Sequence, residues 1–315
     1  MIFSETDQKI TPMDEIRQGI ICKALSGFYY VKSGNETVEC KARGRFRLDK
    51  ISPLVGDNVE FSVNTSGGYI KNILPRKNWF IRPQVANIDV MVVVAANVIP
   101  VTDPFLVDRV TVIAAEKNCD VIVCVNKSDL DAGEELFDIY KNAGYKTIRT
   151  SAETGEGIDE LITATAGKIC AFTGNSGVGK SSILNAMQPG LVIKTGDVSQ
   201  KLGRGKHTTR HVELFYLDSG AIIADTPGFS SFEIEDIHIT LKDDLQYAFP
   251  DFSDYIGACR YTGCSHTKER GCAVREAVDD GKIVKSRYES YLKLYEKASE
   301  IKEWEIKDHV KHSEK

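Results

Sequence analysis

Gly174-Asn175-Ser176-Gly177-Val178-Gly179-Lys180-Ser181-Ser182 is the stretch on which the reading of this chain turns. Gly174 and Gly179 enclose four residues and are followed by Lys180 and Ser181, and the apolar run Ile169-Cys170-Ala171-Phe172 comes just before. The run reads as a buried strand, and Ser181 to Met187 reads as a helix. Strand, Gly-rich turn and helix together make a phosphate-binding loop out of what would otherwise be a chance pattern. The glycines let successive backbone N–H groups face one concavity, and the helix N-terminus adds partial positive charge. Lys180 then reaches the β- and γ-phosphates and the Ser181 hydroxyl ligates Mg²⁺, so the implied ligand is a nucleoside triphosphate.

Upstream, strands alternate with helix-length segments, which is the pattern of a parallel α/β sheet. Asp89 to Ala96, Asp120 to Val125 and Tyr145 to Thr150 read as strands. Pro104 to Lys117, Glu134 to Ala143 and Gly157 to Ala166 read as helices. Asn126-Lys127-Ser128-Asp129 therefore stands at the C-terminal end of a strand, where open α/β sheets bind ligands. A carboxylate there accepts two hydrogen bonds from the N1–H and exocyclic amine of guanine, a donor pair that adenine lacks. Asp129 is the expected base selector, with Asn126 supporting it and the Lys127 stem covering the ring. Ser151-Ala152 ends the next strand and completes a guanine pocket. Taken alone, the four residues would be read as a helix-start turn.

Downstream, 196–210 is polar and Gly-rich. The strand candidates His211 to Leu217 and Ala221 to Ala224 follow, and the second ends in Asp225-Thr226-Pro227-Gly228. Asp225 fits a Mg²⁺ ligand acting with Ser181, the Gly228 N–H fits a γ-phosphate contact, and Thr208 or Thr209 closes over the metal. The base-specificity residues thus precede the phosphate loop, the reverse of the usual order, so the nucleotide domain is circularly permuted.

Between Gly19 and Pro75 the chain reads as short strands at Ile20 to Val31, Thr37 to Leu48, Asp57 to Val63 and Tyr69 to Leu74. They are separated by turn signals and suggest a small closed β-barrel. Because side chains alternate along a strand, Lys41, Arg43, Arg45 and Arg47 share one face. Four like charges repel and favour a polyanion, so this face is a candidate RNA contact; the alternative is an ordinary solvated face. Near the other end, Cys259, Cys264, His266 and Cys272 are spaced by four, one and five residues. Three thiolates and an imidazole suit a closed structural Zn²⁺ site. Arg260, Lys268, Arg270 and Arg275 surround it. From Lys282 the pattern is helical, with Tyr288, Tyr291, Tyr295, Ala298 and Ile301 spaced as core packing.

Composition sets the outer bounds. The 315 residues are 42% hydrophobic and 27% charged, with a net charge of −5, which excludes a uniformly basic nucleic-acid coat. No apolar run has the length of a membrane helix, so a cytoplasmic protein without membrane contact is expected. Cys22, Cys40, Cys119, Cys124 and Cys170 lie in apolar strand-like stretches and read as reduced, buried thiols.

The permuted motif order, the barrel, the Gly205-Lys206-His207-Thr208-Thr209 loop and the Cys/His cluster together resemble the bacterial small-ribosomal-subunit-dependent GTPases, the RsgA (YjeQ) family. The resemblance covers nearly everything after Gly19. It implies a multi-domain protein made of an oligonucleotide-binding (OB) type β-barrel, a circularly permuted P-loop α/β GTPase domain and a C-terminal helical zinc-binding domain. The expected divisions are an extension at 1–18, the barrel at 19–75, the GTPase domain at 76–235 and the zinc domain at 236–315. The implied activity is hydrolysis of GTP to GDP and phosphate on the small ribosomal subunit late in its maturation, by a monomer that contacts rRNA. Phe229 stands where many GTPases place a water-orienting Gln, and an apolar side chain cannot do that work. The resemblance assigns catalysis to His207; the residues themselves leave open a plain phosphate or RNA contact. Two rival readings remain: an RNA-binding scaffold that senses GTP without turnover, and a small-molecule phosphotransferase.

Overall fold

A computed structural model of the chain describes residues 15–42, 46, 51–64, 67–80, 84–190, 212–225 and 242–300. Its first strands are β1 (Ile16–Leu25), β2 (Phe28–Ser33), β3 (Glu36–Ala42), β4 (Asn58–Asn64) and β5 (Gly67–Ile73). β1 pairs antiparallel with both β2 and β4, β3 runs parallel to β5, and β4 pairs with β5, so the five close into a ring. Closure removes the free edges that a small sheet would otherwise expose. Ile21, Val31, Cys40, Val59, Phe61 and Ile70 fill the interior and are all 0% exposed.

The run Ile20 to Val31, read above as one strand, is a hairpin. Ser26 and Gly27 both take positive φ (50° and 84°), and Leu25 pairs with Phe28. Two consecutive left-handed residues match the twist of a tight two-residue turn. β1 also begins at Ile16, inside the stretch read as an extension, where Ile16 and Arg17 pair with Ser62 and Phe61. On β3 the expected alternation holds over the described part: Cys40 points inward, and exposed Lys41 lies across from Phe28 with its Nζ 5.2 Å from the ring centroid. Arg43, Arg45 and Arg47 lie outside the described residues.

The connection out of the barrel is fastened by polar side chains. Arg76 donates to both carboxylate oxygens of fully buried Asp57 at 2.7 and 2.8 Å. Asn78 Nδ2 donates to Ile88 O (2.8 Å) and Lys117 O (3.0 Å), and Asn87 Nδ2 donates to Gly56 O (2.9 Å). The short pair β6 (Trp79–Phe80) and β7 (Val85–Ala86) lies between these anchors. Buried carboxylates and amides survive only when bonded in this way.

Beyond the barrel the sheet continues through β8 (Val90–Ala96), β9 (Asp120–Asn126), β10 (Lys146–Thr150), β11 (Ile169–Thr173), β12 (Glu213–Tyr216) and β13 (Ile222–Asp225). Their spatial order is β10-β9-β8-β11-β13-β12, all parallel except β12, which is antiparallel to β13. Every residue of β8 is buried, as expected for a parallel strand covered on both faces. Four helices connect or follow these strands: α1 (Pro104–Glu116), α2 (Glu134–Asn142), α3 (Ile158–Thr165) and α4 (Lys180–Met187). α1 starts where the sequence marks a start: Asp103 Oδ1 accepts from Phe105 N at 2.9 Å, and Pro104 holds the first helical position. The phosphate-loop strand β11 is fourth of these six in the chain yet lies inside the sheet between β8 and β13. The sheet thus carries the permutation in its topology.

Past residue 241, two short 3-10 turns (Leu245–Ala248 and Pro250–Phe252) and helices α5 (Ala273–Asp279) and α6 (Lys285–Glu300) build a small core. Tyr291, 1% exposed, packs with ring centroids 5.4 Å from Phe249 and 5.0 Å from Phe252, so the tyrosine stripe is core packing. Fully buried Arg287 fastens this unit to the nucleotide domain. Its Nη1 donates to Asp108 Oδ1 on α1 at 2.6 Å, its Nη2 donates to Asp251 Oδ1 at 2.7 Å, and it lies 4.7 Å from the Phe249 ring. Burial pushes the Asp108 carboxyl above its usual range, and Arg287 pulls it back. Removing one partner of such a group strands a buried charge, at a cost of about 3–5 kcal/mol. Arg287→Ala is therefore expected to lower the unfolding free energy by about that amount in guanidinium denaturation; a loss below about 1 kcal/mol would mean that apolar packing alone holds α6 on α1.

Candidate active site and metal centre

The phosphate loop leaves β11 at Gly174 and enters α4 at Lys180. Gly174 (φ 141°) and Gly179 (φ 100°) adopt backbone conformations that L side chains rarely take. Each also has a neighbour where a Cβ would stand: the Val94 carbonyl oxygen at Gly174 and the Asn126 carboxamide at Gly179. Two independent constraints, dihedral and steric, thus require glycine at both positions. Val178 is fully buried beneath the loop, Ser176, Gly177 and Ser182 are exposed, and Asn175 and Ser181 are half-buried.

Asn126 ends β9 and is 3% exposed. Its Nδ2 donates to Val178 O at 2.8 Å, and its Oδ1 accepts from Thr150 Oγ1 at 3.2 Å. One side chain therefore ties the base-specificity segment to the phosphate loop and to the end of β10. The support for Asp129 expected from Asn126 comes instead from Ser151, whose hydroxyl donates to Asp129 Oδ1 at 2.6 Å. Ser151 is itself fully buried and fixed by backbone bonds with Glu156 (3.0 Å) and Gly155 (2.9 Å), with half-buried Ala152 following. Lys127 takes a positive φ of 66° and donates from Nζ to Ile99 O at 2.7 Å. That bond places the Ile99-Pro100 loop beside the site, where Pro100 Cδ lies 3.5 Å from a Cβ built on Gly177. Sequence reading missed this loop because its contact with the site comes from chain separation, with no local motif.

Lys180 is held by the loop it serves, donating to Gly174 O and Asn175 O at 2.7 Å each. Burial lowers its ammonium pKa to about 8. Asp225 is the last residue of β13, and β13 lies beside β11 with Ala224 opposite Ala171. The backbone thus delivers Asp225 to the same sheet end as the phosphate loop. His207, Thr208, Thr209 and Gly228 lie outside the described residues.

The four metal-ligand candidates converge. One donor atom from each of Cys259, Cys264, His266 and Cys272 lies within 4.8 Å of all the others. The Cys259 and Cys272 sulfurs are 3.9 Å apart, and His266 Nδ1 stands 3.5 and 3.4 Å from them. Such spacings are the edges of a small tetrahedron, and Nε2 of His266 is occupied elsewhere, 2.8 Å from Gln246 Oε1. With Nε2 donating to Gln246, the Nδ1 lone pair is left for a metal. Burial pushes the Cys264 thiol up to about 12 and raises that of Cys272, and a cation among them favours the ionised sulfurs. The cluster is braced from outside. Glu269 accepts from Ser265 N and Ser265 Oγ at 3.0 and 2.5 Å, while Tyr288 and Tyr291 donate to the carbonyls of His266 and Ser265 at 2.8 Å each. Gln246, twenty residues before His266, carried no signal in the sequence.

Comparison with known proteins agrees with this geometry. The family model described as RsgA GTPase matches residues 73–235, and that described as RsgA N-terminal domain matches residues 18–70. A protein of Geobacillus sp. (strain WCH70) named small ribosomal subunit biogenesis GTPase RsgA is 46% identical over 292 residues, covering 90% of this chain and 98% of its own length. A protein of the same name from Caldanaerobacter subterraneus is 46% identical over 287 residues, covering 90% and 96%. Among solved structures, YjeQ from Thermotoga maritima superposes with a TM-score of 0.77 at 35% identity, covering 91% of this chain and all of that one. YloQ, described as a circularly permuted GTPase, gives 0.75 at 37% identity, covering 91% and 96%.

Two outcomes follow from this geometry. A triphosphate seated beside Lys180 would favour the charged ammonium, and binding above pH 8 would then require proton uptake. The affinity is expected to be flat below the free-state value of about 8 and to fall by about tenfold per pH unit above it. Calorimetric titration from pH 7 to 9.5 is expected to show this break, and Lys180→Met is expected to remove it. Gln246→Ala, which frees His266 Nε2, is expected to weaken metal binding by about 10–100-fold in chelator competition.

Proposed function

We propose, for a chain that belongs to the RsgA GTPase family and is thereby a GTP-hydrolysing enzyme, that it binds the small ribosomal subunit and hydrolyses GTP there late in subunit maturation. The observation that carries the reading is the Asn126–Val178 bond. It joins a guanine-selecting segment to a phosphate loop in one rigid site, which a sensor for phosphate alone would not need. The link to the small subunit rests on the names of the relatives, and a cytoplasmic location fits that role.

In this reading Asp129, held by Ser151, accepts the guanine N–H pair, the stem of Lys127 covers the ring, and Ala152 closes the pocket edge. The backbone N–H groups from Asn175 to Ser182 surround the β-phosphate. Lys180 leaves the Gly174 and Asn175 carbonyls for the γ-phosphate, where it offsets the charge that develops as water attacks. Ser181, Asp225 and Thr209, or Thr208 in its place, would hold Mg²⁺, which supplies further charge neutralisation on the phosphates. Ser181 in the first turn of α4 and Asp225 at the end of β13 occupy one sheet end, as that role requires. Gly228 contacts the γ-phosphate, and His207 orients the water in place of the Gln that Phe229 displaces.

The Cys259, Cys264, His266 and Cys272 cluster holds one structural Zn²⁺ with no open position. Lys41, Arg43, Arg45 and Arg47 on the barrel contact rRNA, with the divisions of the chain near residues 18, 75 and 235 separating these tasks. The decisive experiment is single-turnover GTP hydrolysis with small subunits present. His207→Ala is expected to lower the rate by about 10²–10⁴-fold while GTP and subunit binding stay normal. A variant that binds normally and hydrolyses at the parent rate would remove His207 from catalysis, and a parent enzyme that releases no phosphate over many turnovers would leave only a GTP-sensing scaffold.

A further inference from the structure

The barrel and the nucleotide sheet are one surface: β1 pairs antiparallel with β12, so eleven strands run without a break from β10 to β4. The seam is narrow, with Lys23 opposite Glu213, but it is reinforced at both ends of β12. Lys23 Nζ lies 2.9 Å from Glu213 Oε2, and Lys32 Nζ of β2 sits 3.7 Å from the centroid of the Tyr216 ring. Both ends of this four-residue strand therefore rest on barrel cations.

The other edge of β12 pairs with β13. Glu213 is the Cα partner of Asp225, and Tyr216 is the partner of Ile222. Lys23, Glu213 and Asp225 thus form one row across three strands, from the barrel to the residue proposed to serve Mg²⁺. β13 in turn pairs with β11, three residues before the phosphate loop opens at Gly174 (Ala224 opposite Ala171). A shift of β12 along its axis moves the Asp225 end of β13 relative to the loop, because a ladder transmits displacement along its hydrogen bonds. Neither lysine belongs to the nucleotide motifs, and the barrel is already fastened through Arg76, Asn78 and Asn87 without them.

We infer that Lys23, through Glu213, and Lys32, through Tyr216, are positioning residues for GTP hydrolysis: they set where β12, and with it Asp225, stands relative to the phosphate loop. The inference rests on the reading of Asp225 given above. A barrel displaced by its own ligand would then change the hydrolysis rate.

The test is a double-mutant cycle on the full chain with Lys23→Ala, Glu213→Ala, the double variant and Lys23→Arg, together with Lys32→Met. Single-turnover hydrolysis, GTP affinity and amide exchange of β12 and β13 are measured on each. Each single variant is expected to hydrolyse about fivefold more slowly, the size of a half-exposed ion pair or cation–π contact. GTP affinity should stay within about twofold, and exchange in β12 and β13 should rise by a similar factor of about five. The double variant should be no slower than either single, and Lys23→Arg should match the parent. Faster exchange with an unchanged rate would show a seam that is only structural, and additive losses in the cycle would show that Lys23 and Glu213 act separately; either result overturns the inference. Asp225→Asn is run alongside: if it hydrolyses as the parent does, the role given to Asp225 fails, while the exchange data still score the coupling across the seam.

Discussion

A single carboxamide holds the nucleotide site together. Asn126 reaches from the end of β9 into the space that Gly179 leaves by lacking a Cβ, and it grips the phosphate loop at Val178 while Thr150 grips it from β10. Breaking the bond leaves a buried donor and a buried carbonyl unpaired, which costs more than the bond itself contributes. The constraint also explains how permutation is tolerated. Moving the chain ends relocates only the connections, whereas β9, β10 and β11 meet in the sheet at the same points whichever strand comes first.

Around this centre two attachments differ in kind. The Arg287 guanidinium between Asp108 and Asp251 is fully buried, so α6 and α1 separate only by exposing or stranding charge. The seam between β1 and β12 is half exposed, with Lys23 and Glu213 at 34% and 38%, and its contacts exchange with water at small cost. The coupling inferred above runs through this exposed seam and not through the buried fastenings of the barrel at Arg76, Asn78 and Asn87.

The features legible in the sequence are those whose cause is local. The phosphate loop, the guanine segment and the Cys/His cluster each lie within a short span, and the strand and helix periodicities around them nearly coincide with the observed elements. The hairpin at Ser26-Gly27 has a local cause as well, a Ser-Gly pair set between the strand-like stretches Ile20 to Leu25 and Phe28 to Val31. Arg287 was beyond reach. Its partner Asp108 lies 179 residues away, and nothing around Lys285 to Glu289 distinguishes this cation from a solvated one. Gln246 behind His266 and the Lys23–Glu213 pair have the same origin, contacts that exist only once the sheets and helices have packed.

The account stands on guanine selection by Asp129 in a site welded to the phosphate loop. Its most direct test is competition between GTP and ATP for the nucleotide-free protein, with Asp129→Asn beside the parent. A pocket built to pair the guanine N–H groups is expected to prefer GTP by at least about a thousandfold, and Asn at position 129 to lose most of that preference with the fold intact. Equal affinity of the parent for the two nucleotides, or an unchanged preference in Asp129→Asn, would contradict it.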